Sequence, residues 1–359
     1  MCRATSAARG FPDESVIVLR QRCQVTGVSL FAFISELCPN RQVTGAGDGR
    51  AGSSRAGSSG VDEGERDEEI AARVSLAVAA KASAENFPVA LRVLPKRYRA
   101  HLTALYGFAR LVDDIGDEPL PGMPGSAPPE QVTATRLRLL DELQEDVRRI
   151  YAGEEPRVAA IRELGRTVRE TGVPAQPLLD LIQANRQDQL VTRYATYRDL
   201  EDYCTLSANP VGQVVLYIMD AATPERIAAS DLVCTALQVI EHTQDVAEDL
   251  AGGRVYLPKQ DMDAYQVTEA DLAEPTASKR VRELIRFEAD RAARALDEGS
   301  PLVGTLKGMA RLAIAGYVSG GRATLKAIEA GGYDVLRSTP RPGKADTLAM
   351  MARCYVKGR

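Results

Sequence analysis

The chain has no tryptophan, six phenylalanines and only two histidines. His101 and His242 form no HxxxH pair and neither adjoins a cysteine, so a zinc centre is not expected and each reads as a packed or solvated imidazole. The six cysteines, Cys2, Cys23, Cys38, Cys204, Cys234 and Cys354, contain no CxxC pair and no regular spacing, which predicts free thiols in a reducing cytoplasm rather than a disulfide framework. Neither sign of charge dominates: 45 Lys and Arg against 49 Asp and Glu give a net charge of -4. Without a basic excess, no nucleic-acid partner is expected. No apolar run reaches the roughly 18 residues that suggest a membrane span. The start, MCRATSAARGFPDESV, lacks a charged segment followed by an apolar core, so no secretion signal is read there. GxGxxG between a strand and a helix and GxxxxGK[ST] are both missing, so no nucleotide-binding loop is predicted.

What is present divides the chain. Residues 41 to 69, RQVTGAGDGRAGSSRAGSSGVDEGERDEE, are Gly, Ser and charge with almost no large apolar side chains, too little to offset the entropy of ordering. Residues 1–69 are therefore expected to be a poorly ordered extension, 70–340 the folded domain, and 341–359 a basic tail. From residue 70 onward Ala, Leu, Val, Arg and Glu recur at helical spacing. This predicts an all-α fold, a single-domain helical bundle, with helices near 70–83, 85–93, 96–115, 129–151, 156–171, 175–190, 197–219, 224–251, 268–298 and 301–330. Pro95 and Pro301 suit first-turn positions, and EAGGYD supplies a glycine stop.

Two of these helices carry acids in rows. In ARLVDDIGDE, residues 109–118, Arg110, Asp113 and Asp117 follow spacings of 3 and 4, with Asp114 and Glu118 beside them. In QVIEHTQDVAEDL, residues 238–250, Gln238, Glu241, Asp245 and Asp249 fall within about 80° of helix circumference. His242 borders this row and is expected off its face. Like charges at i and i+4 disfavour a helix by a few tenths of a kcal/mol, so a buried row needs a counter-charge. Mg²⁺ fits, because it takes oxygen ligands and is commonly held by one or two carboxylates plus substrate phosphate oxygens. Arg110 adds a fixed phosphate donor. A solvated helix face explains either row alone; two rows, each flanked by apolar helix, favour the metal–diphosphate reading.

The same residues resemble the squalene/phytoene synthases. ENFPVALRVLPKRYRAHLTALYGFARLVDDIGDE is similar to the opening segment of that family, and ALQVIEHTQDVAEDLAGGRVYLP to its second acidic segment with a GRxYLP tail. The resemblance spans residues 80 to 345. It implies the terpenoid synthase fold, Mg²⁺ with Mn²⁺ as an alternative, and a prenyl diphosphate as substrate. It places Asp113 and Asp117 in the first metal site and Asp245 and Asp249 in the second, with Asp114 catalytic beside the first. Phe87, Tyr106, Arg110, Gln238 and Tyr256 match positions that bind substrate, and Tyr203, in YCTLSANPVG, the position near the reacting carbons. Core packing is the competing reading for Tyr203 and Tyr256. Phe108 and Tyr217 are further candidates for an aromatic lining.

Departures from the family pattern narrow the reading. Glu241 and Gln244 stand where Asn and Arg are usual, and AGxVG reads ANPVG, with Asn209 and Pro210. These changes resemble the hydroxysqualene synthases of bacterial hopanoid pathways, which implies presqualene diphosphate and water as substrates, other enzymes of that pathway as partners, and no NADPH. Glu241 is then a metal ligand or the residue that orients water. The competing expectations are head-to-head condensation of two prenyl diphosphates to presqualene diphosphate, squalene or phytoene, and, more remotely, a non-catalytic helical assembly protein. The end, RSTPRPGKADTLAMMARCYVKGR, holds six basic residues and one acid. It suits a solvated tail, a cap on the diphosphate through Arg341 or Lys344, or contact with anionic lipid. The expected location is cytoplasmic, with peripheral attachment to the inner face of the membrane as the further option.

Overall fold

A computed structural model of the protein describes residues 94–120 and 122–359. The expected helices at 70–83 and 85–93, the extension 1–69 and Phe87 lie outside the described residues. Among the described residues there is no strand, and a lone parallel bridge joins Arg193 to Val255. The fold is all-α, as the periodicity predicts.

Helix α1 (Lys96–Asp117) starts after Pro95 and ends where Glu118 turns extended ahead of Pro119. It runs through the middle of the main core: Leu105, Phe108, Leu111 and Val112 are buried, but so are Arg110, Asp113 and Asp114. Helix α2 (Pro129–Tyr151) has proline in its first turn and buries Leu139, Leu140, Leu143, Val147 and Ile150. A short 3₁₀ turn and α3 (Arg162–Thr171) follow, the latter closed by Gly172 in the left-handed region. Helix α4 (Ala175–Asp188) packs against α1 and α2. A Cβ on Gly116 of α1 would collide with the Asn185 side chain of α4, so this glycine sets how closely the two approach.

Four stretches expected as single helices are broken. The 197–219 stretch divides at Ala208 into α5 (Tyr197–Ser207), started by a Thr196–Asp199 capping box, and α6 (Asn209–Ile218). Pro210 is the cause, because it lacks an N–H and its ring opposes the carbonyl four residues back. The 224–251 stretch ends α7 (Pro224–Gln244) at Asp245, whose backbone (φ -104°, ψ 19°) leaves the helix before α8 (Val246–Ala251). Val239 and Ile240, before the break, belong to the main core, whereas Val246 joins a second cluster with Val255, Leu257, Met262, Leu284 and Ile285. The chain changes cores at Asp245.

After α9 (Lys259–Ala264), the expected 268–298 helix divides into α10 (Glu269–Leu272) and α11 (Lys279–Gly299), with Pro275 between them. Helix α11 lies along α7, and a Cβ at Gly299 would stand 2.8 Å from the Ala229 carbonyl oxygen. The 301–330 stretch becomes α12 (Leu302–Thr305) and α13 (Gly308–Ala330), separated by extended Leu306 and Lys307. Residues 341–359, read from sequence as a basic tail, contain α14 (Lys344–Lys357), which packs on α13 with Thr347 and Cys354 buried.

Candidate active site

Helix α1 delivers the first acidic row to a closed interior. Arg110, Asp113 and Asp114 are each at most 8 % exposed, and Asp117 at the helix end keeps 29 % of its side chain exposed. The Arg110 Nε lies 2.9 Å from Asp114 Oδ1, and its Nη2 lies 3.7 Å from Glu118 Oε1. From α4, Asn185 Nδ2 donates to Asp113 Oδ1 (3.4 Å), and Gln189 just beyond it donates to the Gly116 carbonyl (3.1 Å). Surrounding protein raises the Asp117 carboxyl above its ordinary pKa, and Arg254 opposes that shift, donating from Nη2 to Asp117 Oδ1 at 3.0 Å.

Arg254 is the join between the two rows. Its backbone N–H donates to the carbonyl of Asp249 (2.9 Å), while its side chain reaches Asp117, 137 residues earlier. The loop carrying it is pinned to residues 192–195. Val255 N–H donates to the Thr192 carbonyl (3.0 Å) and Lys259 N–H to that of Tyr194 (2.9 Å). Arg193 grips Glu269 with two hydrogen bonds (2.6 and 2.9 Å) and the Gly253 carbonyl with a third (2.6 Å).

In the second row Gln238, His242, Asp245 and Asp249 are all buried. Gln238 Nε2 is 2.9 Å from His242 Nε2, and His242 Nδ1 is 3.4 Å from Asp249 Oδ2. An amide N–H must donate, so His242 Nε2 accepts, and a neutral ring then carries its proton on Nδ1, aimed at the carboxylate. The expectation that His242 lies off the acidic face is corrected here. The break at Asp245 turns Asp249 back toward the end of α7, and the imidazole becomes part of the row. Its ring stacks on Tyr256 with centroids 3.5 Å apart and planes 12° apart. Glu241 is half-buried one turn before Asp245, and its carbonyl accepts from the Asp245 N–H (2.9 Å).

An aromatic wall completes the site. Tyr194, Tyr203 and Tyr256 sit with centroids 5.4, 5.7 and 5.9 Å apart, and each is at most 3 % exposed. Tyr203 donates its hydroxyl to Asp188 Oδ2 (3.0 Å). Burial pushes the Asp188 carboxyl up to about 7; Arg254 and the Tyr203 hydrogen bond pull it down, and Asp117 pushes it up. Among the described residues, neither Asp188 Oδ1 nor the Tyr256 hydroxyl has a hydrogen-bond partner. Tyr106 and Phe108 lie in the main core on α1, and Tyr217 is half-buried against it. His101 is held by Thr167 (3.1 Å) and Glu170 (3.4 Å), the packed imidazole that the sequence suggests.

Sequence reasoning missed Asn185, Asp188, Tyr194 and Arg254. Asp188 carried a signal: an acid in the last turn of a helix opposes the helix dipole, so another interaction must hold it there. Arg254 was in plain view inside GRVYLP, but nothing local indicated its reach to Asp117.

Among the described residues, no three Asp, Glu, His or Cys side chains converge tightly enough to enclose a metal ion by themselves. The donor set still fits Mg²⁺, because it consists of carboxylate oxygens in two rows, buried at Asp113, Asp245 and Asp249 and partly open at Asp117, and such a site is completed by substrate oxygens. The first row has cations of the protein's own alongside, Arg110 and Arg254, and at the second His242 aims its Nδ1 proton at Asp249.

An all-helical chain that brings two acid-bearing helices together beside an aromatic wall has the build of a terpenoid synthase. The chain belongs to the squalene/phytoene synthase family, whose profile matches residues 80–345. The family acts on prenyl diphosphates. The hydroxysqualene synthase of Rhodopseudomonas palustris is 33% identical over 225 residues, covering 62% of this chain and 72% of that protein. That of Sinorhizobium fredii is 34% identical over 226 residues, covering 62% and 72%. The crystal structure of squalene synthase HpnC from Alicyclobacillus acidocaldarius matches at a TM-score of 0.63 and 37% identity, covering 75% of this chain and 95% of that one.

Proposed function

We propose that the protein converts presqualene diphosphate and water to hydroxysqualene and diphosphate, with Mg²⁺ as cofactor and no nicotinamide. The observation that supports this reading best is the bridge through Arg254. One side chain touches the first acidic row while its own backbone is anchored on the second, so a single diphosphate can meet both. The similarity to two hydroxysqualene synthases and the substitutions at Glu241 and Gln244 favour water capture over hydride delivery.

Asp113 and Asp117 would hold metal on one side and Asp245 and Asp249 on the other, while Asp114 orients Arg110 toward the phosphate oxygens. Bound Mg²⁺ supplies Lewis-acid stabilisation of the charge that develops on the departing diphosphate. Breaking the carbon–oxygen bond leaves a carbocation in the prenyl chain. The faces of Tyr203 and Tyr256 offer it π-electron density. The oxygen of one water closes on the rearranged cation and the proton it sheds leaves through Glu241. Gln238 holds His242 against Asp249, which keeps that carboxylate oriented.

A second reading within the family, head-to-head condensation of two prenyl diphosphates, draws on the 37% identity to the Alicyclobacillus squalene synthase. Incubating the purified protein with presqualene diphosphate, and separately with farnesyl diphosphate, with and without reduced nicotinamide, distinguishes the two by extracted product. Hydroxysqualene from presqualene diphosphate alone is expected; a hydrocarbon product, or turnover of farnesyl diphosphate only, refutes the proposal. For Glu241→Asn, the alcohol share of the product is expected to drop. An unchanged alcohol-to-hydrocarbon ratio removes the water-orienting role.

A further inference from the structure

Helix α14 (Lys344–Lys357) has two apolar faces. One is buried on the protein through Thr347 and Cys354, against α13. The other is exposed: Leu348 is 57 % exposed, Val356 79 % and Tyr355 37 %, and Ala345, Ala349 and Ala352 between them are exposed as well. At 100° per residue these six positions occupy an arc of about 120°. That is the width of apolar stripe with which a helix normally meets a core. Arg311 fixes the end of the helix to the body, donating from Nε to the Tyr355 carbonyl (2.9 Å) with its guanidinium 5.0 Å from the Tyr355 ring.

Charge says what suits this face. Residues 337–359 hold six Arg and Lys and one acid, in a chain whose net charge is -4. The acid, Asp346, is paired with Lys326 at 3.3 Å. Arg353 borders the apolar arc, and Arg337, Arg341, Lys357 and Arg359 are exposed around its ends. An exposed apolar stripe edged by cations, with a tyrosine on it and small alanines that let the backbone approach, is the pattern of a helix lying flat in a lipid headgroup layer. No helix among the described residues is long and apolar enough to cross a membrane, so contact of this kind is in-plane.

We propose that the exposed face of α14 docks on an anionic lipid bilayer surface. The inference stands independently of the reaction proposed above. Its attachment to the site is short: Gln244, on the second acidic segment, donates to the Pro340 carbonyl (2.7 Å), and Thr339 donates to Glu248 (2.9 Å), just ahead of the helix.

The test is flotation of the full-length protein with two kinds of vesicle, phosphatidylcholine alone and phosphatidylcholine mixed with phosphatidylglycerol. Binding to the mixed vesicles that weakens with salt is expected. Arg353→Gln and Lys357→Gln should each weaken it about five-fold, the worth of one cation near an anionic surface. Leu348→Asp with Val356→Asp should abolish it while leaving the helical circular dichroism and the melting temperature unchanged, because both side chains are exposed. Leu348→Ser with Val356→Thr serves if the acidic pair fails to fold. Equal binding to both vesicles, or full binding by the double variants, overturns the proposal. So does a wild type that is dimeric by light scattering, becomes monomeric in the double variant and binds neither vesicle, for then a second copy covers this face.

Discussion

Replacing Asp188 by Asn should make the protein more stable, and increasingly so as pH rises. Asp188 is 4 % exposed, takes a hydrogen bond from Tyr203 on Oδ2 and has its carboxyl pushed up to about 7 by burial, against 3.8 in an unfolded chain. The folded state therefore holds a proton on Asp188 between those two values that the unfolded state has released. Below about pH 4 both states are protonated and the group gives no pH dependence; from there to about pH 7 stability falls, because the buried carboxylate must ionise. A shift of about three pH units at 1.36 kcal/mol each sets an upper bound of about 4 kcal/mol. Asparagine keeps the shape and an acceptor for the Tyr203 hydroxyl but has nothing to ionise. For a domain of this size roughly 2–4 °C accompanies each kcal/mol, so the melting temperatures should separate by up to about 8–16 °C on going from acid to mildly alkaline pH. The assay is thermal denaturation of both proteins across that range in chelator. Glu288, also buried and pushed up to about 8, lowers stability in the same direction but cancels in the difference. Parallel curves would refute the reasoning, since they would mean that Asp188 ionises as readily in the folded state as in the unfolded chain.

Three further outcomes follow from the same geometry. Arg254→Gln removes a charge-assisted contact of about 1.5–3 kcal/mol, so diphosphate release should slow by about one to two orders of magnitude; Arg254→Lys should restore part of it, as a point charge without the guanidinium fork. Unaltered steady-state rates in Arg254→Gln would separate this residue from the site. Chelator alone should leave the melting temperature of the protein in place, whereas Mg²⁺ with diphosphate at about a hundred times its dissociation constant should add about 2.7 kcal/mol of stability, and a calorimetric scan showing no upward shift with the pair contradicts the proposed donor set. Gly299→Ala places a Cβ 2.8 Å from a backbone carbonyl between α11 and α7 and should cost about 1–3 kcal/mol, read as a lowered urea midpoint with the slope unchanged.

The helices were legible because apolar spacing over many residues is a redundant signal: α2 is found at 129–151, as its leucine stripe requires. The acidic rows were legible for the same reason, since buried charge on an apolar helix stands out. Breaks were harder. Pro210 gives a local warning that Ala208 ends a helix, but Asp245 leaves its helix because Val246 is drawn into a different core, and no local pattern records that. The partners of the acids were hidden by distance along the chain. Asp188 and Arg254 meet the tyrosines and Asp117 only through loops pinned to each other at residues 192–195 and 253–259. His242 was placed off the acidic face by the geometry of a continuous helix, and the helix is not continuous.

The cations stationed among the acids bear on the history of each molecule. A row of buried carboxylates left to itself would resist folding, and its maturation would wait on the supply of divalent ions. Here arginines 110 and 254 take up that repulsion from the outset. On this geometry the chain can collapse and persist before any divalent ion arrives, and the Mg²⁺ proposed above would be a requirement of turnover rather than of assembly.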